Sequence, residues 1–416
     1  MTLGKHIIVG AEAKRQIGAQ PSYQIVGTRT GVNGGAGFAP NASQAGMITR
    51  MRHVLPYGAK GILLVYGGFR VTAAIETSQN VGGGFEAVSA VAAAGGSGYA
   101  LGDTIVPTVA TNQFAPTLVV QAVSSGAVTQ LGVVAGGMFG LQPASALTQS
   151  STSGSGTGCT ITLTVKPYVC GFHVGLEQVW NTQTAYGTSS LTGVLKLTSG
   201  ADFNGTKSHI MLPAGDFFYT DPVIVDFAAN ATIGTRVWSN GFGYIGGRTL
   251  SGSDGSPTFG EYSNYSTMTD YAWSGTVPTQ ITAWNNSGIQ PLAIMGYLDT
   301  PRPSFVFIGD SITQNVTTDS GGGLTPDNFD SNGNVGWLEK SAAQQVAWTN
   351  FSSGGDRVVN YLTPSQNMRL RAIQTFRPSH VVDCLAINDF VAGTSFSAFQ
   401  AQKIAFCTKY RHSSVE

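Results

Sequence analysis

The sequence predicts a multidomain chain: an N-terminal β-sandwich carrying a Gly-rich β insertion, followed by a C-terminal α/β/α region on a parallel sheet. Three observations predict it. Short apolar runs separated by Gly, Asn, Asp and Ser recur as far as Tyr297, with no 3.6-residue period among them. A block over residues 82–165 is dominated by Gly, Ser, Ala and Thr. Beyond Pro301-Arg302-Pro303, apolar strands alternate with helical segments, which implies parallel pairing through crossover helices.

Residues 1–46 are Gly- and Ala-rich with weak patterning and read as an N-terminal arm. The sandwich is expected over residues 47–300. It opens with strands at Arg50–Leu55 and Gly61–Tyr66 on either side of a Pro-Tyr-Gly turn. The inserted block contains Gly98-Tyr99-Ala100-Leu101-Gly102-Asp103. It closes on Gly154-Ser155-Gly156-Thr157-Gly158, after which Cys159 to Val165 alternates as a half-buried strand does. Further strands are expected at Gly193–Leu197, His209–Leu212, Val223–Phe227, Thr235–Trp238 and Leu292–Tyr297. In residues 301–416 the order is strand Ser304–Ile308, helix Gly336–Gln345, strand Val346–Asn350, helix Ser365–Thr375, strand His380–Ala386 and helix Ser397–Tyr410.

Composition narrows the function. Charged residues are 11% of the chain and the formal net charge is zero, so no basic surface draws it to nucleic acid or an anionic membrane. No run reaches the roughly 18 apolar residues of a membrane span. Met1 to Lys14 holds no signal-peptide core, so action outside a cell would follow lysis or assembly into a particle, with the cytoplasm as the site before release. A neutral polar surface suits a glycan, for example an acetylated polysaccharide. The four cysteines, Cys159, Cys170, Cys384 and Cys407, have no zinc spacing and read as buried thiols, with a Cys159–Cys170 pair as the alternative. No cofactor or metal is expected: the Asp/Asn/Gly-rich stretches at Asp319–Gly323 and Asp327–Asn334 lack calcium-loop order and read as a long loop. Tyr262, Tyr265, Tyr271 and Trp273 form an aromatic run among Ser, Asn and Thr and are the candidate sugar-stacking residues.

Chemistry concentrates in the last third. Phe305-Val306-Phe307-Ile308-Gly309-Asp310-Ser311 is a buried strand ending in a tight turn, which puts the Ser311 hydroxyl at the carboxyl edge of a parallel sheet. Asn350-Phe351-Ser352-Ser353-Gly354-Gly355-Asp356 and Leu385-Ala386-Ile387-Asn388-Asp389 each follow another strand. Together these blocks resemble the SGNH, or GDSL-type, serine esterases. The resemblance implies a flavodoxin-like domain with Ser311 as nucleophile, and an oxyanion site made by the Ser311 and Gly355 N–H groups and the Asn388 amide. Ala386 stands where that family usually has glycine. The family's Asp-x-x-His block has no match after Asn388, so the domain reads as incomplete. His412 is the sole histidine beyond Asn388 and the candidate base, while His380 lies at the wrong sheet edge and His53, His173 and His209 read as structural.

Two further resemblances complete the picture. Leu212-Pro213-Ala214-Gly215-Asp216 and Thr220-Asp221-Pro222-Val223 resemble the jelly-roll-like accessory domain that precedes some GDSL esterases. The Gly-Tyr-x-x-Gly-Asp block resembles a β-module of tailed-phage structural proteins. The function expected is therefore a carbohydrate O-acetyl esterase. The alternative is a catalytically inactive phage virion or surface protein, such as a tail protein, that binds glycan or assembles through its β-rich part as a homo-oligomer or with other virion proteins.

Overall fold

The structure is a computed structural model. It describes residues 23–32, 47–72, 74–77, 84–109, 115–137, 139, 142–168, 170–179, 194–197, 210–212, 215–220, 222–239, 247–249, 262–264, 287–315, 337–342, 345–364 and 367–410.

Two antiparallel sheets face one another. The first has the order Tyr23–Ile25, Ala293–Tyr297, Ile62–Gly67, Phe217–Tyr219. The second runs Val194–Leu197, Cys170–Glu177, Ala231–Ser239, Met47–Leu55, Tyr262–Asn264, with Ile210–Leu212 paired to Cys170–Glu177 beside this path. Strand alternation explains their packing. Ile62, Leu64 and Tyr66 point into the core between the sheets, where Val174, Leu176, Ile233 and Val237 meet them. Leu63 and Val65 point the other way and are equally buried, in a second core. An apolar run without alternation, Ile62 to Tyr66, thus marks a strand buried on both faces. The Pro56-Tyr57-Gly58 turn carries the chain from the second sheet to the first, because Met47–Leu55 and Ile62–Gly67 belong to different sheets.

The Gly-rich block is a six-stranded antiparallel unit with its own core around Ile105, Leu118, Val120 and Ile161. Its entry and exit strands, Gly84–Ser97 and Thr157–Tyr168, pair from Thr157 opposite Ser97 to Tyr168 opposite Gly84. The two ends of the sheet curl together: the Ala87 N–H donates to the Gly136 carbonyl at 2.9 Å, so the unit is nearly a barrel. The Tyr99 ring belongs to this core, and a Cβ at Gly156 would lie 2.2 Å from it, which excludes any larger residue there.

The expected flavodoxin-like α/β/α domain is not what the C-terminal third builds. Strand dominates the chain and its sheets are mainly antiparallel. Among the described residues, parallel pairing is confined to a small patch in the order Thr30–Gly31, Ala347–Asn350, Ser304–Ile308, His380–Asp383. The physical reason is a shared core. Val306, Ile308 and Ala347 of the patch pack in one cluster with Leu63, Val65, Ala293 and Met295 of the sandwich. The helices Val358–Leu362, Met368–Phe376 and Phe396–Tyr410 add Val358, Tyr361, Ile373, Phe376 and Phe406 to the same cluster. An antiparallel sheet therefore forms part of the wall that an independent three-layer domain would build from its own helices.

Residues 23–32 of the expected arm are also built into the fold. They supply an edge strand to the first sandwich sheet and the Thr30–Gly31 strand to the parallel patch. Gly31 sits at φ +126°, and a Cβ there would lie 2.0 Å from the Asn350 carbonyl oxygen, so this junction admits only glycine. At the Pro301-Arg302-Pro303 segment, the Gln24 amide donates to the Arg302 carbonyl at 2.8 Å and accepts the Arg302 N–H at 3.1 Å. The run Val223–Phe227 is no strand; Val223 and Phe227 make isolated bridges to Ile62 and Ala59.

Candidate active site

Three chain crossings end at the same edge of the parallel patch. The strand Ser304–Ile308 runs into Gly309-Asp310 and the short helix Ser311–Asn315. Gly309 is required there because a Cβ would meet the Thr313 hydroxyl at 2.2 Å. Asp310 is buried, and its carboxylate accepts the Ile312 N–H at 3.0 Å, so it fixes the turn as a helix cap does. Ser311 is exposed at the start of the helix, and its hydroxyl has no partner among the described residues.

The second crossing follows Ala347–Asn350. The Phe351 N–H donates to the Phe307 carbonyl at 2.8 Å and the Ser353 N–H to the Gly309 carbonyl at 3.1 Å, which continues the parallel ladder up to the Ser311 turn. The Gly354 N–H then donates to the Gln314 side chain. A Cβ at Gly354 would lie 3.7 Å from the Ser311 Cβ, so this loop runs directly alongside the serine. Gly355 is exposed at φ +80° with open space where a side chain would be, a conformation that turns its backbone outward at low cost only for glycine.

The third crossing follows His380–Asp383. The Cys384 N–H donates to the Ile308 carbonyl at 2.8 Å, and Asn388 lies in the helix Ile387–Val391. The Asn388 amide donates to the Asp356 carbonyl at 3.1 Å, joining the third crossing to the second. Asp389, fully buried, accepts the Val358 N–H with both oxygens at 3.2 Å. Burial pushes the Asp389 carboxyl above its ordinary value, and that N–H opposes the shift.

A buried ion network that the sequence does not announce stands behind the Gly355 loop. Arg369, fully buried on the helix Met368–Phe376, donates to both oxygens of Asp356, to the Phe351 carbonyl at 3.0 Å and to the Tyr361 hydroxyl at 2.8 Å. Its guanidinium also lies 4.1 Å from the Tyr361 ring centre. The other end of Arg369 is held by Glu76, at 2.8 Å from Nε, and Glu76 accepts the Met368 N–H at 2.6 Å as well. Burial pushes the Asp356 carboxyl up while Arg369 and Tyr361 pull it down. Glu76 belongs to the hairpin of Arg70–Thr72 and Ile75–Thr77, whose turn residue Ala74 donates its N–H to the Ser353 hydroxyl at 3.3 Å. Asn350 adds a second brace, donating its amide to Glu339 at 2.7 Å and to the Thr313 carbonyl at 3.0 Å.

The structure thus brings the segments of Ser311, Gly355 and Asn388 together. It places no imidazole beside them among the described residues. His380 is at the opposite edge, stacked on Phe305 at 4.7 Å and bonded to the Ser379 hydroxyl at 2.8 Å. His53 is buried in the sandwich between the Thr28 carbonyl and the Thr235 hydroxyl, and His173 is buried against Trp238. His412 and His209 lie outside the described residues, as do Tyr265, Tyr271, Trp273 and the Asp319–Asn334 stretch. Tyr262 is described only as part of the strand Tyr262–Asn264. Cys159 is a buried free thiol as expected, whereas Cys384 and Cys407 are free and exposed, a correction to the expectation of burial. No cluster of metal-ligating side chains occurs among the described residues. No helix among them is long and apolar enough to cross a membrane.

No family model and no curated protein matches the chain. Among solved structures it is similar to a family two carbohydrate esterase from Clostridium thermocellum in complex with cellohexaose, at 13% identity and a TM-score of 0.21, covering 84% of this chain and 73% of that one. An active-site mutant of a family two carbohydrate esterase from the same organism gives the same values. VP17, a capsid protein of bacteriophage P23-77, has a TM-score of 0.08 at 9% identity, covering 52% of this chain and 93% of that one. Likeness at these scores does not establish a shared fold.

Proposed function

We propose that the chain is a carboxylic-ester hydrolase of the SGNH type that removes O-acetyl groups from a glycan, with Ser311 as its nucleophile. The observation that carries this reading is the convergence at one sheet edge of the segments bearing Ser311, Gly355 and Asn388. The Ser353-to-Gly309 and Asn388-to-Asp356 hydrogen bonds tie those segments together. The glycan as substrate is supported by the neutral, weakly charged composition and by the sandwich attached to the site.

In this reading Ser311 Oγ bonds to the acyl carbon while its proton passes to an imidazole, and the carbonyl electrons move onto oxygen. The Ser311 and Gly355 N–H groups and the Asn388 amide hold that oxyanion, each such donor lowering the barrier by about 3–4 kcal/mol. Collapse breaks the ester C–O bond, the sugar hydroxyl leaves with the proton, and water then releases the acid by the same steps. The imidazole comes from His412 or from a partner chain.

Hydrolysis of p-nitrophenyl acetate by the full chain, beside Ser311→Ala, tests this directly. The expected result is turnover by the wild type and a loss on the order of 10⁴-fold or more in the variant, as for other serine hydrolases without their nucleophile. Equal inertness of the two proteins sinks the esterase reading and leaves the glycan-binding virion or surface protein in its place.

A further inference from the structure

The amino end of the parallel patch, away from Ser311, carries a cleft of about 440 Å³. It forms where the chain leaves the sandwich strand Ala293–Tyr297 and enters Ser304–Ile308. Its volume lies within the roughly 300–1,000 Å³ typical of small-ligand sites. Along the strand between them, five residues at about 3.3 Å each separate the cleft from the Ser311 turn, so the two are distinct places on the molecule.

From the geometry of this cleft we infer a binding site for one or two rings of a neutral oligosaccharide, with Tyr297 as the stacking surface and Asp226, Asp299 and Lys60 as hydroxyl partners. The inference goes beyond the esterase reading and does not depend on it. The floor is apolar: Ala59, Phe227 and Leu298 are buried beneath the opening. Tyr297, at the end of a core strand, is 37% exposed. The Tyr23 ring meets it edge-on at 6.1 Å and holds it in place. A partly exposed ring steadied by a neighbour is suited to packing against the C–H face of a sugar.

The charged groups favour an uncharged ligand. Lys60 and Arg302 are balanced by Asp226 and Asp299, so the cleft has no net formal charge to select an anion or a cation. Lys60 pairs with Asp299 at 2.6 Å while both side chains stay more than half exposed, at 54% and 60%. Asp299 first, and Asp226 more weakly, raise the Lys60 pKa, so the group stays charged near neutrality and keeps its donors. Donors and acceptors held side by side match vicinal hydroxyls, each of which both gives and accepts a hydrogen bond.

The cleft is also pre-formed, which lowers the ordering cost of binding. Ala59 and Phe227 exchange main-chain hydrogen bonds at 3.0 and 2.7 Å, and the Lys60 N–H donates to the Tyr297 carbonyl at 3.0 Å. Gly58 takes φ +69°, and a Cβ there would lie 2.3 Å from the Phe227 carbonyl oxygen. The Pro56-Tyr57-Gly58 turn, an ordinary connection by sequence, thus shapes one wall. Gln24 clamps Arg302 on the other.

Calorimetric titration of the full chain with cellohexaose, xylohexaose, mannohexaose and chitohexaose tests the site. At least one should bind with a Kd below roughly 10 mM, and Tyr297→Ala should weaken it about tenfold or more, since stacking on an aromatic ring supplies much of such an affinity. Asp226→Asn, a change at an exposed position, should weaken the same ligand without altering the melting temperature, which keeps the test sound if Tyr297→Ala folds poorly. Ser311→Ala should leave this binding intact. The proposal is overturned if none of the four sugars binds, if binding is indifferent to both cleft variants, or if Ser311→Ala abolishes it.

Discussion

Two buried carboxylate–arginine networks invite comparison, because their chemistry is alike and their placement is not. In the sandwich, Glu177 receives Arg50 at 2.7 and 2.6 Å and also Arg236, with all three side chains at or near zero exposure. Those residues sit on adjacent strands of one sheet. Behind the candidate site, Arg369 joins Asp356 to Glu76, which lies 293 residues earlier than Arg369 in the chain. Burying ions is costly in both places, and neither network is evidence of stability by itself. The sandwich network joins strands that backbone ladders already hold. The second network joins three segments that share no ladder, so its weight falls on where the Gly355 loop stands.

The largest stability effect is expected in the sandwich. Glu177→Gln removes the carboxylate that the buried Arg50 and Arg236 share and should cost about 3–5 kcal/mol in chemical unfolding. Burial pushes the Glu177 carboxyl up, but Arg50 and Arg236 outweigh it and hold it below the ordinary value. The sign follows. A carboxyl depressed in the folded state contributes stability above its unfolded value, near 4.3, and loses that contribution as pH falls through the folded value. The gap between wild type and Glu177→Gln should therefore narrow below about pH 4. A gap that is constant from pH 7 to pH 3 would mean that the charge of Glu177 contributes nothing.

The next effect falls on chemistry more than on stability. Glu76→Gln keeps the shape of the hairpin and removes the charge that orients Arg369. For the ester hydrolysis proposed for Ser311, kcat should fall by about 10- to 100-fold with KM little changed, the scale expected when a reacting group is displaced by an ångström or less. Amide hydrogen exchange at Ser353 to Asp356 should quicken in the same variant, a readout that needs no activity. If only the melting temperature moves, the hairpin is a structural tie and the Glu76 network, like that of Glu177, holds the fold alone.

These networks also mark the limit of what the sequence reveals. The segments that bear Ser311, Gly355 and Asn388 are legible because each follows a short apolar strand, and a strand with its turn is a local pattern. Glu76 has no such signal: its partner is in another half of the chain, and a lone Glu between Ile75 and Thr77 looks like any hairpin residue. The same reasoning explains the fold. Strand and helix order after Pro303 is written locally and suggests a self-sufficient parallel-sheet domain. That Leu63 and Val65 of the sandwich complete its core, and that Thr30–Gly31 completes its sheet, depends on contacts hundreds of residues apart. The unbroken run Ile62 to Tyr66 is the one local trace, since a strand apolar on both faces must be covered twice. The run Val223–Phe227 misleads for the converse reason: it is apolar enough for a strand, yet it only bridges to an existing one.

The smallest effect tests whether position, and not merely charge, gives the Glu76 network its role. Arg371, two residues from Arg369 on the same helix, also reaches the sandwich: it pairs with Asp216 at 3.4 Å and donates to the Gly215 carbonyl at 3.0 Å. That pair is about two-fifths exposed on each side, so water screens it and competes for its hydrogen bonds. Asp216→Asn should cost less than about 1 kcal/mol of stability. It should leave kcat and the exchange of residues 353–356 unchanged, because a half-exposed pair holds the helix only weakly and the substitution keeps the Asp216 main chain in place. A loss of kcat in Asp216→Asn equal to that in Glu76→Gln would show that any tether between helix and sandwich serves. The site would then depend on docking of the whole helix, with no special part for the three buried charges.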